Sequence, residues 1–578
     1  MNVGSSEKTG WPDDAATLEA LLGYWRAPKG VRRAYVAGPF GHLHFRYAQP
    51  EVPERPAVVL LHQTPSSGRA WEGVLARLGQ TRVAIAPDTS GFGDSDGPDE
   101  PVGIAEYAEA IATVIAGLGI GRVDIVGDHT GAKIAVEIAR QEPQLVRKLV
   151  LYGAPVYSAD QRNAQRDLLA EIIREAGAPL PEDGAFLAEK WHSLRTHYAG
   201  DAPLALVDRD FAESLRARDK AWWGHQAAHS YSLADALPQV KQPMLMISAN
   251  DGLWEETYQA AKLVPDIELV HRADWRVGAI SQHAETLTAM LRKFFDDEPA
   301  MAAPPVVVSG TDGGPGINRL FANSSAGQIH LRAAGRSGAT APPLFCFHMS
   351  PRSGHYFEAL VAALSADRQV FAPDTPGYGE SYKPAQRLDV PGYARAMASM
   401  IDGMTFETVD LLGDHTGTKV AIELAHQRPD LVRRIVMNTA GVYSAEEQRS
   451  WQSKMGTIDV QEDGSHYAAL WERYQNLNRG KLTSDQIAFR FFETIRAGPC
   501  MWWGPHAANM YLLGEVLPHI EQEILLMCSD EDSLIEPSRR GAALLSNGRY
   551  KEYAGLGNSM LEDRVAEVAS DIDAFLRS

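Results

Sequence analysis

Short apolar runs and longer amphipathic stretches alternate along this chain. "AVVLLH" from Ala57, "RVAIAPD" from Arg82, "VDIVGD" from Val123, "KLVLYGA" from Lys148, "PMLMIS" from Pro243 and "IELVHR" from Ile267 are short and rich in Val, Ile and Leu. Runs of this kind predict strands buried on both faces, as in a parallel sheet. Between them, "WEGVLARLG", "GIAEYAEAIATVIAGLG" and "ETLTAMLRKFF" carry the helical period. Together they predict an α/β fold, a mostly parallel sheet flanked by helices. The alternation stops between "GAPVYSA" and "PMLMIS". A helical, Trp-rich segment of roughly 158–238 interrupts it there, as a cap over the C-terminal edge of the sheet would.

The same pattern then repeats. At an offset of 286, "GHLHFRYA" meets "GQIHLRAA", "APDTSGFGDSD" meets "APDTPGYGESY", and "LVRKLVLYGAPVYSA" meets "LVRRIVMNTAGVYSA". After the cap the offset drops to 280, where "WWGHQAAHSYSL" meets "WWGPHAANMYLL". A period this long marks a duplicated domain rather than a solenoid. The expected organisation is an N-terminal extension (1–29), a first domain (30–297, cap about 158–238), a linker (298–314) and a second domain (315–578, cap about 444–518). The linker "DDEPAMAAPPVVVSGTDGGPG" is rich in Pro, Gly and small residues. The duplication makes an intrachain pseudo-dimer and leaves further homo-oligomerisation open.

Composition narrows the partners. With 578 residues, two cores are the default. A net charge of −19 without a basic patch argues against nucleic acid. Three cysteines form neither a disulfide framework nor a metal-ligand spacing. No signal peptide is visible at the start and no apolar run approaches a membrane span. The expectation is a cytoplasmic protein with no membrane, metal or cofactor requirement.

One motif carries the chemistry. "GDHTG" occurs at Gly127–Gly131 and at Gly413–Gly417, each time after an apolar run and before a helical pattern. With the "LLHQTP" turn, the "APDTSGFGDSD" loop, the "SANDGLWEE" loop and the closing amphipathic helix, it resembles the α/β-hydrolase superfamily, twice over. The resemblance implies that the middle residue of the elbow is the nucleophile, held on a strained strand-to-helix turn. Here that place falls to His129 and His415, with Asp128 and Asp414 before them. Taking Asp as the nucleophile, as in haloalkane dehalogenases and epoxide hydrolases, requires a one-residue slip. The family's triad acid maps to Asp251 and Asp532. Its histidine maps to Trp275 or Arg276 in the first copy and to Asn558 in the second. The triad is therefore expected to be missing, and loss of a serine nucleophile or its base costs on the order of 10⁶ in turnover.

What the resemblance leaves in place is an oxyanion hole: Thr130 and Thr64 in the first copy, Thr416 and Ser350 in the second, each donor contributing ~3 kcal/mol. His129 and His415 are then candidates for general acid/base work, since histidine titrates near neutrality; the alternative is that histidine merely tolerates a positive φ. Lys133 and Lys419, one turn further on, are expected to pair with a nearby carboxylate, Asp128 or Asp414. Asp251 and Asp532 either orient an imidazole or cap a turn. The Ser95 and Ser381 loops are expected to shape the backbone. Candidate pocket residues are Gln63, Trp222, Trp223, His225, His229 and Tyr231 in the first copy, and Trp502, Trp503, His506 and Tyr511 in the second. Pro505, Asn509 and Met349 at matching places make the two pockets unequal. The expected function is a cofactor-independent enzyme acting on a small hydrophobic carbonyl compound by ester, lactone or C–C hydrolysis. Two alternatives remain: a lyase, decarboxylase or isomerase working through an enolate, and a non-catalytic ligand-binding pseudoenzyme.

Overall fold

The computed structural model describes residues 15–578 apart from Gly177, Pro179, 309–315, 453–458, Lys481 and 556–558. The described residues form two eight-stranded sheets. The first contains β1 (Arg32–Gly38), β2 (Gly41–Ala48), β3 (Val58–Leu61), β4 (Ala84–Pro87), β5 (Val123–Asp128), β6 (Val146–Tyr152), β7 (Met244–Ala249) and β8 (Glu268–Arg272). Their order is β1-β2-β4-β3-β5-β6-β7-β8. β2 pairs antiparallel with β1 and β4, and all other pairs are parallel. The second contains β9 (Asn318–Asn323), β10 (Gln328–Ala334), β11 (Leu344–Phe347), β12 (Val370–Pro373), β13 (Val409–Asp414), β14 (Val432–Asn438), β15 (Glu523–Ser529) and β16 (Gly548–Tyr553), in the same order.

Every apolar run singled out in the sequence is a strand, and the central ones are buried along their length. That is why they read as continuous apolar stretches and not as alternation. The antiparallel β1–β2 hairpin is the part of each sheet that this criterion misses, because β1 ("RRAYVAG") is half exposed and too polar to stand out. Separate apolar clusters fill the two faces of the first sheet, one under the helix Thr130–Gln141 and one under Ala284–Phe295.

The expected interruption is an insertion of helices. Between β6 and β7 lie Ala159–Ala176, Ala185–Thr196, Leu204–Ser214 and Trp223–Ser230. Between β14 and β15 lie Ala445–Gln452, Ser465–Asn478, Ser484–Ile495 and Trp503–Met510. The compact units do not follow the sequence repeat. One consists of Ala27–Gly310 with Val460–Phe492; the other of Met1–Arg26, Thr311–Asp459 and Glu493–Ser578. The former holds the first sheet and is the first unit; the latter holds the second sheet and is the second unit.

Candidate active site

β5 ends at Asp128 and the helix Thr130–Gln141 begins two residues later, so the chain must reverse at the residue between. That residue is His129, with φ 49° and ψ −102°; His415 stands at 48° and −103°. Such a turn is possible because helix and strand nearly touch. A Cβ on Gly127 would lie 2.5 Å from the Ala132 Cα, and one on Gly131 would lie 2.5 Å from the Leu61 carbonyl oxygen. The two glycines of "GDHTG" are thus required by close approach, and the histidine takes the strained position. Asp128 and Asp414 end their strands as buried residues, so the one-residue slip to an Asp at the turn does not occur.

The imidazole is held on both sides. His129 Nδ1 faces Gln63 Oε1 at 2.8 Å and Nε2 faces Asp251 Oδ2 at 3.1 Å, while Asp128 Oδ1 lies 3.2 Å from Nδ1. Oxygen acceptors on both nitrogens call for a proton on each, hence an imidazolium. Burial pushes its pKa down, but Asp128 and Asp251 outweigh this and hold it up at about 9. Burial lifts the Asp128 carboxyl to about 6 against the pull of His129. Asp251 is raised by burial too, yet the hydrogen bond and charge of His129 keep it below the usual carboxylate range. In the second unit His415 Nε2 faces Asp532 Oδ2 at 3.1 Å and is likewise held at about 9, against burial, by Asp532 and Asp414. Each elbow imidazole therefore reaches the carboxylate after the penultimate parallel strand directly. It is a cation at neutrality, where an unperturbed histidine is mostly neutral.

The surroundings differ between the units. In the first, Thr64 and Thr130 share a hydroxyl hydrogen bond of 2.9 Å that ties the turn after β3 to the start of the helix. His225 and His229 are pushed down to about 4, first by burial and then by neighbouring positive groups, among them His129 for His225 and Lys133 for His229. Trp222 stands over His225 with ring centroids 5.3 Å apart, and Tyr157 lies 4.9 Å from His229. In the second, Ser350 bonds the Tyr378 hydroxyl, which also receives the Gly504 N–H at 2.6 Å. Asn438 donates to Asp414 at 2.6 Å, and Asn509 exchanges hydrogen bonds with Gln448. Thr416 opens the helix after His415, as Thr130 does after His129.

Several sequence expectations meet a different arrangement. Lys133 and Lys419 pair with no carboxylate among the described residues. Each Nζ donates to a backbone carbonyl, Ala228 at 2.7 Å and Ala508 at 2.5 Å, and lies over a tyrosine ring, Tyr157 or Tyr443. Burial lowers both ammonium groups to about 7. Tyr231 and Tyr511 direct their hydroxyls to Glu137 and Glu423, away from the elbow. Trp223 and Trp503 are buried, the latter against Leu18, Leu22 and Cys500. Trp502 is half-buried. His506 lines a cavity of about 720 Å³ with Leu18, Leu388 and Met510. Trp275, at a position to which the family histidine maps, is buried and stacked on His283 at 5.1 Å and on Tyr152 at 6.3 Å; Arg276 is exposed; Asn558 lies outside the described residues. Ser95 bridges backbone, donating to Asp88 at 2.7 Å and receiving from His44 at 2.9 Å, as Ser381 does in the second unit.

Sequence reasoning passed over Tyr157 and the residue beside each imidazole. A Cβ at Gly153 (φ 62°) would lie 2.5 Å from His129 Cδ2, so glycine makes room for the ring. The matching residue is Thr439, a β-branched residue at φ 70°. Aligning "LYGA" with "MNTA" carried that signal.

A family model described as the alpha/beta hydrolase fold matches residues 56–214 and again 342–554, more than half the chain. The chain belongs to this family. Within it, an uncharacterised Mycobacterium bovis protein is 40% identical over 99 residues, which is 17% of this chain and 29% of that protein. A 2-hydroxymuconate semialdehyde hydrolase of Pseudomonas putida is 39% identical over 101 residues, 17% and 36% of the two chains. The chain thus spans well under half the length of these two relatives. A pyrrolizixenacetamide deacetylase of Xenorhabdus hominickii is 23% identical over 252 residues, covering 42% of this chain and 92% of that one. A hydrolase of known structure from Pseudomonas aeruginosa aligns with a TM-score of 0.40 at 18% identity, over 46% of this chain and 98% of its own. No helix among the described residues is long and apolar enough to cross a membrane.

Proposed function

We propose that the first unit performs cofactor-independent hydrolysis of a small, largely hydrophobic carbonyl compound, an ester, a lactone or a C–C bond, with an imidazolium at the elbow in place of a serine. The hydrogen bond from His129 Nδ1 to Gln63 Oε1 carries this reading. With its oxygen committed, the Gln63 carboxamide turns Nε2 the other way, and among the described residues no acceptor takes those protons. Gln63 Nε2–H and the Thr130 N–H, the first of its helix and so without an intrahelical partner, form the oxyanion hole. The His129–Asp251 pair fixes Gln63 and places positive charge behind it.

Two groups whose pKa values are driven apart in one site take different roles, one a fixed charge and the other a proton carrier. His129 stays protonated; His225 stays neutral and is the base. Water adds to the carbonyl carbon and gives its proton to His225 as the carbonyl oxygen becomes an oxyanion. When the intermediate collapses, His225 returns that proton to the leaving group. Relatives named as a deacetylase and a semialdehyde hydrolase favour carbonyl hydrolysis over other chemistry. Met349 replaces Gln63 in the second unit, which we take to support rather than to catalyse.

The test is turnover on aryl esters, lactones and β-keto acids. Gln63→Met should lower kcat/KM by about 10²-fold or more with KM little changed, as loss of one oxyanion donor does. His225→Phe should cost about 10²–10⁴-fold. Turnover confined to β-keto acids would move the reaction to an enolate pathway. Activity indifferent to Gln63→Met would refute the proposed hole.

A further inference from the structure

The first unit takes in residues 460–492, from the second half of the sequence, and the contact is nearly symmetric. Trp191 donates its indole N–H to the Glu462 carbonyl at 2.8 Å, and Trp471, its repeat equivalent 280 residues on, donates to the Pro181 carbonyl at 3.0 Å. Trp191 lies edge-on to Phe211 and His466; Trp471 lies edge-on to Phe491 and Phe186, the equivalents of those two. Both indoles are fully buried. Glycine permits the approach on both sides: a Cβ on Gly184 would lie 2.5 Å from the Ala468 Cα, and one on its equivalent, Gly464, would strike Trp191. A patch whose equivalent residues contact each other reciprocally has the logic of an isologous interface.

The contact also reaches toward the elbow. Tyr467 donates to Asp208 at 2.6 Å on the helix Leu204–Ser214. Glu213, near the end of that helix, accepts from Ser67 at 2.7 Å, four residues after Gln63. The second unit in turn takes in Leu18, Leu22 and Trp25 from the start of the chain, packed against Cys500, Trp503 and Gly498.

We propose that the reciprocal clasp of Trp191 and Trp471 is a self-complementary recognition surface that holds the two halves of this chain together without need of the peptide linking them. The clasp is independent of the chemistry proposed above. To test it, a protease site is placed in the full-length protein at Gly313–Gly314 and the purified chain is cut. The two fragments should still elute together near 63.1 kDa at about 1 μM. In the cut protein, Trp191→Ala with Trp471→Ala should weaken fragment association by at least about 30-fold, as loss of central aromatic anchors does. Gly184→Ala, which adds one methyl against Ala468 and leaves both indoles in place, should weaken it as well and guards against misfolding of the double variant. Fragments that separate on cutting, or an association untouched by these substitutions, would overturn the proposal.

Discussion

Replacing Asp251 by asparagine removes a charge and keeps the shape. His129 titrates at about 9 in the folded chain against 6.5 for a free imidazole. The folded value is the higher one, so the protonated ring stabilises the fold. That contribution is present in full below about pH 6.5, erodes above it and is gone once pH passes about 9. A shift of this size corresponds to about 3 kcal/mol. Asp251 supplies both a hydrogen bond and a charge to Nε2 at 3.1 Å. At an effective dielectric near 20 a unit pair at this range is worth about 4 kcal/mol or somewhat more before desolvation. In Asp251→Asn the ring keeps Asp128 but loses that partner, and its pKa should fall toward the ordinary imidazole value. The variant should therefore be less stable by about 2–3 kcal/mol at pH 6 and close to the parent at pH 10. Urea unfolding at both values, with ¹³C-labelled histidine to follow the ring, measures this. An equal loss at both pH values, or an imidazole titrating below 7 in the parent, would refute the reasoning.

Three further outcomes are expected. Thr439→Gly removes a β-branched residue from φ 70° and a buried hydroxyl without a partner among the described residues, and should stabilise the second unit by about 1 kcal/mol in urea titrations. Lys133 is pushed down to about 7 by burial, so its charged form is penalised in the fold. That penalty is complete below about pH 7 and fades as pH rises toward 10.5, and Lys133→Met should raise the urea midpoint more at pH 6 than at pH 10. A fluorophosphonate probe should label neither elbow, read by mass spectrometry of peptides 123–141 and 409–427; a labelled Thr130 or Thr416 would show a hydroxyl acting where a backbone donor is proposed.

How much of this was legible follows from what each feature depends on. The strands were readable because burial on both faces forces continuous apolar runs, and the elbow because glycines at Gly127 and Gly131 answer to contacts a few residues apart. The protonation of His129 was not readable. It depends on Asp251, 122 residues away, and on Gln63, brought in by the turn after β3. Lys133 misled for the same reason in reverse. A lysine one turn into a helix usually finds a carboxylate, but here the insertion between β6 and β7 lays a carbonyl and a tyrosine ring over it. The inclusion of residues 460–492 in the first unit left no sign in the repeat, because "DGAFLAEKW" and "DGSHYAALW" look like two copies of one helix start whichever sheet they pack against.

The two copies separate what a hydrolase elbow needs for shape from what it needs for chemistry. Both keep the positive-φ histidine, the facing carboxylate at 3.1 Å and the buried lysine on a carbonyl. These features arise wherever a cation is fixed at a tight turn above two acids, and they lead to the same pKa near 9 in both units. The copies part at Gln63 against Met349, Gly153 against Thr439, and His225 and His229 against Pro505 and Asn509, several of them residues the proposed mechanism uses. In the second unit the changes go in one direction. A carboxamide gives way to a thioether that cannot donate, two imidazoles to a proline and to an asparagine turned onto Gln448, and a glycine to a threonine at positive φ. An imidazolium without a directed donor beside it has charge to offer but no means of placing it on a carbonyl oxygen. On that ground Met349→Gln, even with Thr439→Gly, should leave the second unit without measurable turnover, since it still lacks a counterpart of His225, the base proposed for the first unit. Turnover gained by that pair in a His129→Ala background would show that the carboxamide alone suffices and that His225 is not the base.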